Sequence, residues 1–198
     1  MTTAPTPQAS ARPGDGPLRL VAGSRAAQVL AARLPEAVRR REEAFGEETV
    51  IVPREHLVAA VTLLRDEPDA LYTMPVCVLA VDFPDREPRF DVVYQLRSLM
   101  YNDVARLVVQ VEEADPTVPS LERVMPGFDW HERETFDLSG IVFEGHHDLR
   151  RILLPDDWEG HPLRKDYVSF GEPVAFTHNI TWALPMSERP DEMPGAQR

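Results

Sequence analysis

The sequence predicts an α+β domain followed by a long C-terminal half with little regular structure. Two patterns of apolar residues indicate the domain, because one stretch has helical spacing and several others alternate as strands do. These stretches follow no regular β-α-β repeat, which separates the domain from the α/β class. From about residue 114 the chain is instead rich in proline, glycine and charged residues. We therefore place the domain at residues 18–112.

The chain opens with a polar lead-in, a short helix and a hairpin. Residues 1–17 are rich in Thr, Ala, Pro and Gly, and we expect disorder there because they offer almost nothing to bury. Ser24 suits the N-cap of a short helix that Pro35 interrupts. Residues 38–45 and 49–52 then flank a glycine and predict a hairpin, although the charged run RRREE would also suit a longer helix.

An amphipathic helix and three strands complete the predicted domain. Apolar residues recur from position 57 at i, i+3, i+4 and i+7 between two prolines, which predicts the helix. Residues 76–83 are apolar on both alternating faces, which predicts a strand inside the sheet rather than at its edge. Residues 89–97 and 105–111 alternate in polarity around a Tyr-Asn-Asp turn, so they predict an antiparallel hairpin.

The C-terminal half differs from the domain in composition and in its predicted lack of regular structure. We treat residues 113–178 as a docking block and extended arm, and residues 179–198 as a flexible tail. A short helix at residues 129–138 is predicted within it. Large residues such as Phe143 and Trp158 lack the periodicity that would bury them in a core of their own, so we expect them to need a partner's surface.

The bulk composition excludes several functions. A chain of 198 residues fits one ordinary domain, and its net charge of −12 opposes binding to nucleic acid or to anionic lipid surfaces. It contains no apolar run of about 20 residues that would span a bilayer, and its start lacks the pattern of a secretory signal. The lone Cys77 cannot supply the four ligands of an iron–sulfur cluster. We expect a cytoplasmic chain without redox cofactors.

Enzyme motifs are incomplete. His131-Glu132 begins a zinc-protease H-E-x-x-H pattern, but Thr135 stands where the second histidine is required. The adjacent residues 146–148 (His-His-Asp) could ligate a metal together with His161, although adjacent side chains usually point apart. A free-standing metal-dependent enzyme therefore remains an alternative, whereas ordinary loop hydrogen bonds are the simpler interpretation. We expect no catalytic residue and no metal site.

A segment dense in both charges and aromatic residues remains, and we call residues 130–167 the mixed-charge segment. Arginine and aromatic residues are enriched at the centres of protein interfaces, and neighbouring opposite charges favour one docking register. We expect Arg133 and Asp137 to pair at i, i+4 on the predicted helix. We also expect Arg150 and Arg151 to find their partners on another subunit.

Three blocks of this segment form a specific pattern. Their residues are Glu132, Arg133, Glu134, Asp137, Gly140, Ile141, Phe143, Gly145, His146, residues 148–153 and residues 160–167. The pattern resembles the C subunit of bacterial NADH:quinone oxidoreductase, respiratory complex I, a family that carries a block close to E-R-E-x-x-D, then G-I-x-F-x-G-H-P-D-L-R-R-I-L and G-H-P-L-R-K-D-[FY]-P. The resemblance covers roughly residues 45–178. Ser139, His147 and Val168 depart from the pattern, and each departure could loosen the fit to a partner.

The resemblance implies a two-layer α+β domain with a mixed sheet packed by helices, followed by an arm that wraps the quinone-site subunit. It implies a non-catalytic subunit of the peripheral arm that supports electron transfer from NADH to quinone. FMN, the iron–sulfur clusters and the quinone site would belong to partner subunits. The partners would be other peripheral-arm subunits, chiefly the quinone-site D-type subunit and the B-type and I-type subunits of the terminal clusters. The complex would lie on the cytoplasmic side of the bacterial inner membrane. An equivalent subunit of a membrane-bound hydrogenase or another quinone-reducing complex is the alternative.

The resemblance also assigns candidate docking residues. They are Trp130, Glu132, Arg133, Glu134, Asp137, Gly140, His146, Asp148, Arg150, Arg151, His161, Pro162, Arg164, Lys165 and Asp166.

Overall fold

The structure is a computed structural model, and it describes residues 24–44 and 47–167. The segments predicted to be disordered or flexible, residues 1–17 and 179–198, lie outside the described residues. The same holds for the last part of the predicted arm, residues 168–178, and for the departure at Val168.

Helices and strands alternate irregularly along the described chain. The helices are α1 (Arg25–Arg33), α2 (Leu57–Asp66) and α3 (Asp129–Ser139), and short 3-10 turns lie at Pro35–Ala37, Arg54–His56 and Pro126–Phe128. The strands are β1 (Arg40–Ala44), β2 (Glu47–Ile51), β3 (Met74–Asp82), β4 (Phe90–Ser98), β5 (Asp103–Val111), β6 (Thr117–Pro119) and β7 (Val142–Glu144). The predicted α+β class is confirmed.

Five strands form one mixed sheet in the order β1-β2-β5-β4-β3. Both predicted hairpins are present, with β1 antiparallel to β2 and β4 antiparallel to β5. The two hairpins join through β2 and β5, which run parallel. Asn102 has a φ of 49° in the β4–β5 turn, a conformation that asparagine adopts more readily than most residues. The mixed sheet expected from the resemblance is therefore confirmed.

The helices α1 and α2 contribute to the core of the sheet. In α1 the Ser24 hydroxyl accepts the N–H of Ala27 at 3.3 Å, so the predicted N-cap is confirmed. In α2 the predicted apolar face is fully buried. Alternating residues of β4 and β5, from Phe90 to Leu96 and from Ala105 to Val111, complete one continuous hydrophobic cluster with the helices. Burial of this one face is the main stabilising contribution to the domain.

The prediction that residues 76–83 form an interior strand is wrong. β3 pairs only with β4 among the described strands, so it lies at the edge of the sheet. Val78 points into the core, whereas Val76 and Leu79 remain exposed. α3 lies against this strand, and the Thr135 hydroxyl donates to the Val78 carbonyl at 3.1 Å. Apolar residues on both faces of β3 therefore do not mean that it has a neighbouring strand on each side.

The hydrophobic core extends beyond the domain limit that we predicted at residue 112. The residues that join it from the C-terminal half are Val118, Leu121, Met125, Phe128, Ile141 and Phe143. They come from short strands and turns that each contribute one or two side chains, so no periodicity reveals them. Phe143 therefore packs on its own chain, in contrast to the expectation that it needs a partner's surface. The described residues, which end at Tyr167, belong to one compact unit.

None of the helices in the described ranges is long and apolar enough to cross a membrane.

Candidate functional site

α3 organises the mixed-charge segment, and its buried face is unusually polar. The helix spans the predicted residues 129–138 and ends at Gly140, whose φ is +75°. The buried side chains of α3 are Glu132, Thr135, Asp137 and Ser139. A buried polar group costs free energy unless it finds hydrogen-bond partners. The contacts of this face therefore determine how the following chain is held.

Asp137 is the central group of the mixed-charge segment. Its side chain is 0% exposed. Its Oδ2 accepts the backbone N–H groups of Ile152, Leu153 and Leu154 at 3.1, 2.8 and 2.9 Å. Its Oδ1 accepts the Arg151 guanidinium at 2.7 Å. One carboxylate thus fixes the backbone of a segment that has no helix or strand of its own.

Arg151 extends this network within the same chain. Its second terminal nitrogen donates to the carbonyls of Trp158 and Gly160 at 2.9 and 3.2 Å. The expectation that Arg151 pairs with another subunit is therefore wrong. The predicted pair of Arg133 with Asp137 is also wrong, because Arg133 donates to the carbonyls of residues 150 and 151 instead. Arg151 is followed by the three N–H groups that also reach Asp137, and such hydrogen bonds stabilise the charged form of a buried carboxylate.

The environment of Asp137 sets its charge state. Burial by itself raises the pKa of a carboxyl group. Here the hydrogen bonds from residues 152–154 and from Arg151 outweigh burial, and the pKa of Asp137 lies below its ordinary value of 3.8. Asp137 is therefore a permanent anion at neutral pH, and its stabilising effect depends on that charge.

The chain after Gly140 packs back against the end of α3. Arg164 donates to the carbonyls of Ser139 and Gly140 at 2.8 and 3.3 Å. His161 Nδ1 lies 2.9 Å from the Asp137 carbonyl. A Cβ at position 140 would collide with the His161 ring and the Arg164 guanidinium, so glycine is required by space as well as by φ. The intervening Pro162 is half-buried and continues this turn.

The end of the mixed-charge segment is attached to the main sheet by Arg89. This guanidinium bonds Asp82 of β3 at 2.7 and 2.8 Å, and it also bonds Asp166 at 2.8 and 3.1 Å. Asp82 additionally accepts the backbone N–H of Lys165 at 2.8 Å. Arg89 lowers the pKa of both carboxyl groups, chiefly through these hydrogen bonds. Neither Arg89 nor Asp82 was a predicted site residue, since a charge within a strand carries no such signal.

Glu132 attaches α3 to the chain after β6. Its carboxylate is 0% exposed and accepts from the Ser120 hydroxyl at 2.6 Å and from the Leu121 N–H at 2.7 Å. Burial raises the pKa of Glu132 to about 7, since the two hydrogen bonds offset only part of the desolvation. Glu132 thus titrates near neutral pH, unlike Asp137.

The predicted metal alternative with residues 146–148 and His161 is not assembled. His161 contacts the end of α3, and Asp148 pairs with Arg150 at 2.9 Å. His146 instead lies beside Asp129 and Glu122, and the departure His147 pairs with Glu122 at 2.7 Å. Glu122 was missed because it lies 25 residues before His147.

A small group of the candidate docking residues remains available to a partner. Trp130 is 70% exposed on the outside of α3. Glu134 and Lys165 are also exposed, and the Arg150 side chain is 70% exposed despite its pair with Asp148. The other candidates are largely occupied within the chain. The docking role of the whole set stays a prediction, and these exposed residues are the ones best placed to test it.

Replacing Asp137 by Asn should destabilise the chain strongly. The change keeps the shape but removes the charge that Arg151 and the three N–H groups face. We expect a loss of about 3–5 kcal/mol in the free energy of unfolding at neutral pH, as for other broken buried pairs. Because the pKa of Asp137 is lowered, this loss should shrink as the pH falls below about 3.8, where the unfolded carboxyl is protonated.

Urea unfolding at neutral pH and at a pH below about 3.8 measures this effect. Asp148→Asn is the matched control. Asp148 belongs to an exposed pair, so its replacement should cost less than about 1 kcal/mol. Equal losses in the two variants would contradict the central role of Asp137.

Replacing Glu132 by Gln should change how stability depends on pH. The folded chain keeps the Glu132 proton up to about pH 7, whereas the ordinary value is 4.5, so wild type loses stability as the pH rises between these values. The free energy of unfolding of the uncharged variant should therefore rise relative to that of wild type, by on the order of 3 kcal/mol between about pH 4.5 and 8. Urea unfolding across this range tests it. Glu134→Gln, at an exposed position of the same helix, should show no such trend, and a flat difference for Glu132→Gln would contradict the raised pKa.

Comparison with known proteins identifies the family. Residues 50–173 match the family model described as the 30 kDa subunit of respiratory-chain NADH dehydrogenase. The C subunit of NADH-quinone oxidoreductase from Roseiflexus sp. (strain RS-1) is 47% identical over 150 residues, which cover 76% of this chain and 86% of that protein. The C subunit from Herpetosiphon aurantiacus is 47% identical over 137 residues, which cover 69% of this chain and 80% of that protein.

Two solved structures share the fold. The trypsin-resistant fragment (1-134) of Nqo5 is 29% identical, and the match covers 63% of this chain and 99% of that chain with a TM-score of 0.52. A chain of the membrane-bound sulfane sulfur reductase, an archaeal respiratory membrane complex, matches with a TM-score of 0.60 at 22% identity, over 73% of this chain and 84% of that chain. The second likeness concerns the fold alone. The chain therefore belongs to the family of the 30 kDa subunit of respiratory-chain NADH dehydrogenase, which includes the C subunits of bacterial NADH-quinone oxidoreductases.

Proposed function

We propose that this chain is a non-catalytic structural subunit in the peripheral arm of a proton-translocating NADH:quinone oxidoreductase. The observation that carries the proposal is the identity of 47% over 86% of the length of a protein named as the C subunit of such an enzyme. Similarity of this extent, together with the family match over residues 50–173, favours the same role in the same kind of assembly.

The internal contacts of the mixed-charge segment support a docking role. Binding is stronger when a surface is already ordered before the partner arrives, because less conformational entropy is lost. Asp137 and Arg89 hold the two parts of this segment on the domain. The exposed Trp130 and Arg150 are of the residue types that most often contribute to binding energy at protein interfaces. We infer that these two residues contact a neighbouring subunit.

The proposed neighbours are the quinone-site D-type subunit and the B-type and I-type subunits that carry the terminal clusters. This chain would hold them without carrying electrons, so FMN, the iron–sulfur clusters and the quinone would all be bound elsewhere. A single cysteine agrees with the absence of a cluster in this chain. We place the chain at the membrane through the complex, on the cytoplasmic side.

The alternative is an equivalent subunit of another respiratory complex, such as a membrane-bound hydrogenase. The fold shared with a chain of the sulfane sulfur reductase complex keeps this alternative relevant. The much higher identity to the C subunits of NADH-quinone oxidoreductases favours the NADH-linked complex.

Affinity purification of the tagged full-length chain from membranes of its native host tests the proposal. We expect co-purification of flavin-carrying and cluster-carrying subunits, together with quinone reduction by NADH. Recovery of a hydrogenase or a sulfur reductase instead would replace the proposal by its alternative. Recovery of the chain without companions would contradict both.

A variant with Trp130→Ala and Arg150→Glu tests the docking surface in the same experiment. Loss of interface residues of this kind commonly costs about 2 kcal/mol or more, so recovery of partners should fall at least about tenfold. The isolated variant should unfold as wild type does, because both side chains are exposed. Arg40→Glu, at an exposed arginine of β1, is the matched control and should leave recovery unchanged. Undiminished recovery with the double variant would remove these residues from the interface.

A further inference from the structure

The parallel pair β6 and β7 brings three potential metal ligands together. In this pair Pro119 lies opposite Glu144, so the chain leaves both strands at the same end. Glu122 follows β6 by three residues, and His146 and His147 follow β7 by two and three residues. Topology therefore places one carboxylate and two imidazoles at one edge, although Glu122 is distant from the histidines in sequence.

We propose that Glu122, His146 and His147 form a binding site for a divalent transition-metal ion of the zinc type. One ligand atom from each of the three residues lies within 4.8 Å of the others. Two imidazole nitrogens and one carboxylate oxygen are a ligand set that suits Zn²⁺ and its neighbours, in preference to Ca²⁺ or Mg²⁺. The proposal does not rest on the proposed docking function, although His146 is also a candidate docking residue.

The surroundings of His146 supply a second observation. Metal-binding histidines usually direct their other ring nitrogen to a carboxylate or a carbonyl oxygen, which fixes the orientation of the ring. The His146 side chain is 0% exposed, and its Nε2 lies 3.3 Å from Asp129 Oδ1 and 3.4 Å from the Asp129 carbonyl. This Oδ1 is buried and makes no hydrogen bond of ordinary geometry with any residue of the described ranges. His146 is therefore held with Nε2 towards Asp129 and Nδ1 on the side of Glu122.

The ion would replace contacts that the three residues make with one another and with the backbone. His147 Nδ1 lies 2.7 Å from Glu122 Oε1, and a metal ion would take the place of the proton between them. His146 Nδ1 lies 3.9 Å from Glu122 Oε2 and accepts the N–H of Asp148 at 3.1 Å, a bond that the ion must displace. Tetrahedral ligands at about 2.0–2.2 Å from zinc lie roughly 3.4 Å apart, so the group must contract.

The side chain that can move is His147. It is 58% exposed and stacks on the His146 ring with the two centroids 5.4 Å apart, whereas His146 and Glu122 are largely buried. Three protein ligands leave the fourth position to water. The geometry thus points to a solvent-facing site with two fixed ligands and one mobile ligand.

Titration of the full-length, metal-free chain with ZnCl₂ by calorimetry tests the proposal. Wild type should bind one equivalent of zinc. His147→Ala and Glu122→Gln should each lower the zinc affinity at least about tenfold. Asp129→Asn keeps all three ligands and should weaken zinc by about 10–100-fold, as is typical when the carboxylate behind a ligand histidine is lost. His56→Ala removes an imidazole outside the cluster and should leave the affinity unchanged.

Titration with CoCl₂ reports the ligand geometry directly, because a tetrahedral Co²⁺ site absorbs strongly in the visible range. We expect this absorption in wild type and in His56→Ala, and its loss in His147→Ala. Thermal unfolding in the presence of a chelator checks that the variants remain folded. Zinc affinity that is the same in wild type, His147→Ala and Glu122→Gln would overturn the proposal, and so would an equal loss of affinity in His56→Ala.

Discussion

The buried carboxylate of Asp137 is the interaction on which the C-terminal half of the structure depends. It is fully enclosed, negatively charged, and satisfied by the Arg151 guanidinium together with three consecutive backbone N–H groups. Such a group is unfavourable if any donor is lost, because the remaining charge would be buried without compensation. Residues 151–154 therefore have one favourable position on α3, although they form no helix or strand. Arg89 does the same for the end of the segment, where it links Asp166 to Asp82 of the main sheet.

In this arrangement, the residues that stabilise the fold differ from those that remain available for binding a partner. The apolar core lies on one face of the sheet and includes residues as late as Phe143, so these side chains are buried within the chain itself. The buried Asp137 is fully occupied within the chain, whereas Trp130 and Arg150 are largely exposed and remain available to a partner. We infer that a chain with this arrangement presents an ordered surface before it meets a partner. Such a surface favours the proposed scaffold role, because ordering a flexible segment on binding would cost about 1–2 kcal/mol per residue.

Much of the fold could be predicted from the sequence, but the network of the site could not. The helix from Leu57 and the hairpin of β4 and β5 have clear apolar periods, and a local period is all that such elements need. The edge position of β3 escaped prediction because α3, and not a strand, lies beside it. The partner of Asp137 was predicted to be the neighbouring Arg133 on the same helix, yet the structure selects Arg151. Long-range polar contacts depend on how loops return in space, and a single sequence carries no spacing rule for them.

Hydrogen exchange of the isolated full-length chain tests most directly whether the mixed-charge segment is ordered on its own domain. The amides of Ile152, Leu153 and Leu154 are the decisive probes, because each donates to Asp137 outside any helix or strand. We expect these three amides to exchange far more slowly than the exposed loop amides at Asp156 and Asp157, and to lose this protection in Asp137→Asn. Exchange at the rate of an open loop in the free chain, with protection that appears only after partner subunits are added, would contradict internal anchoring and would show that the segment folds on its partner.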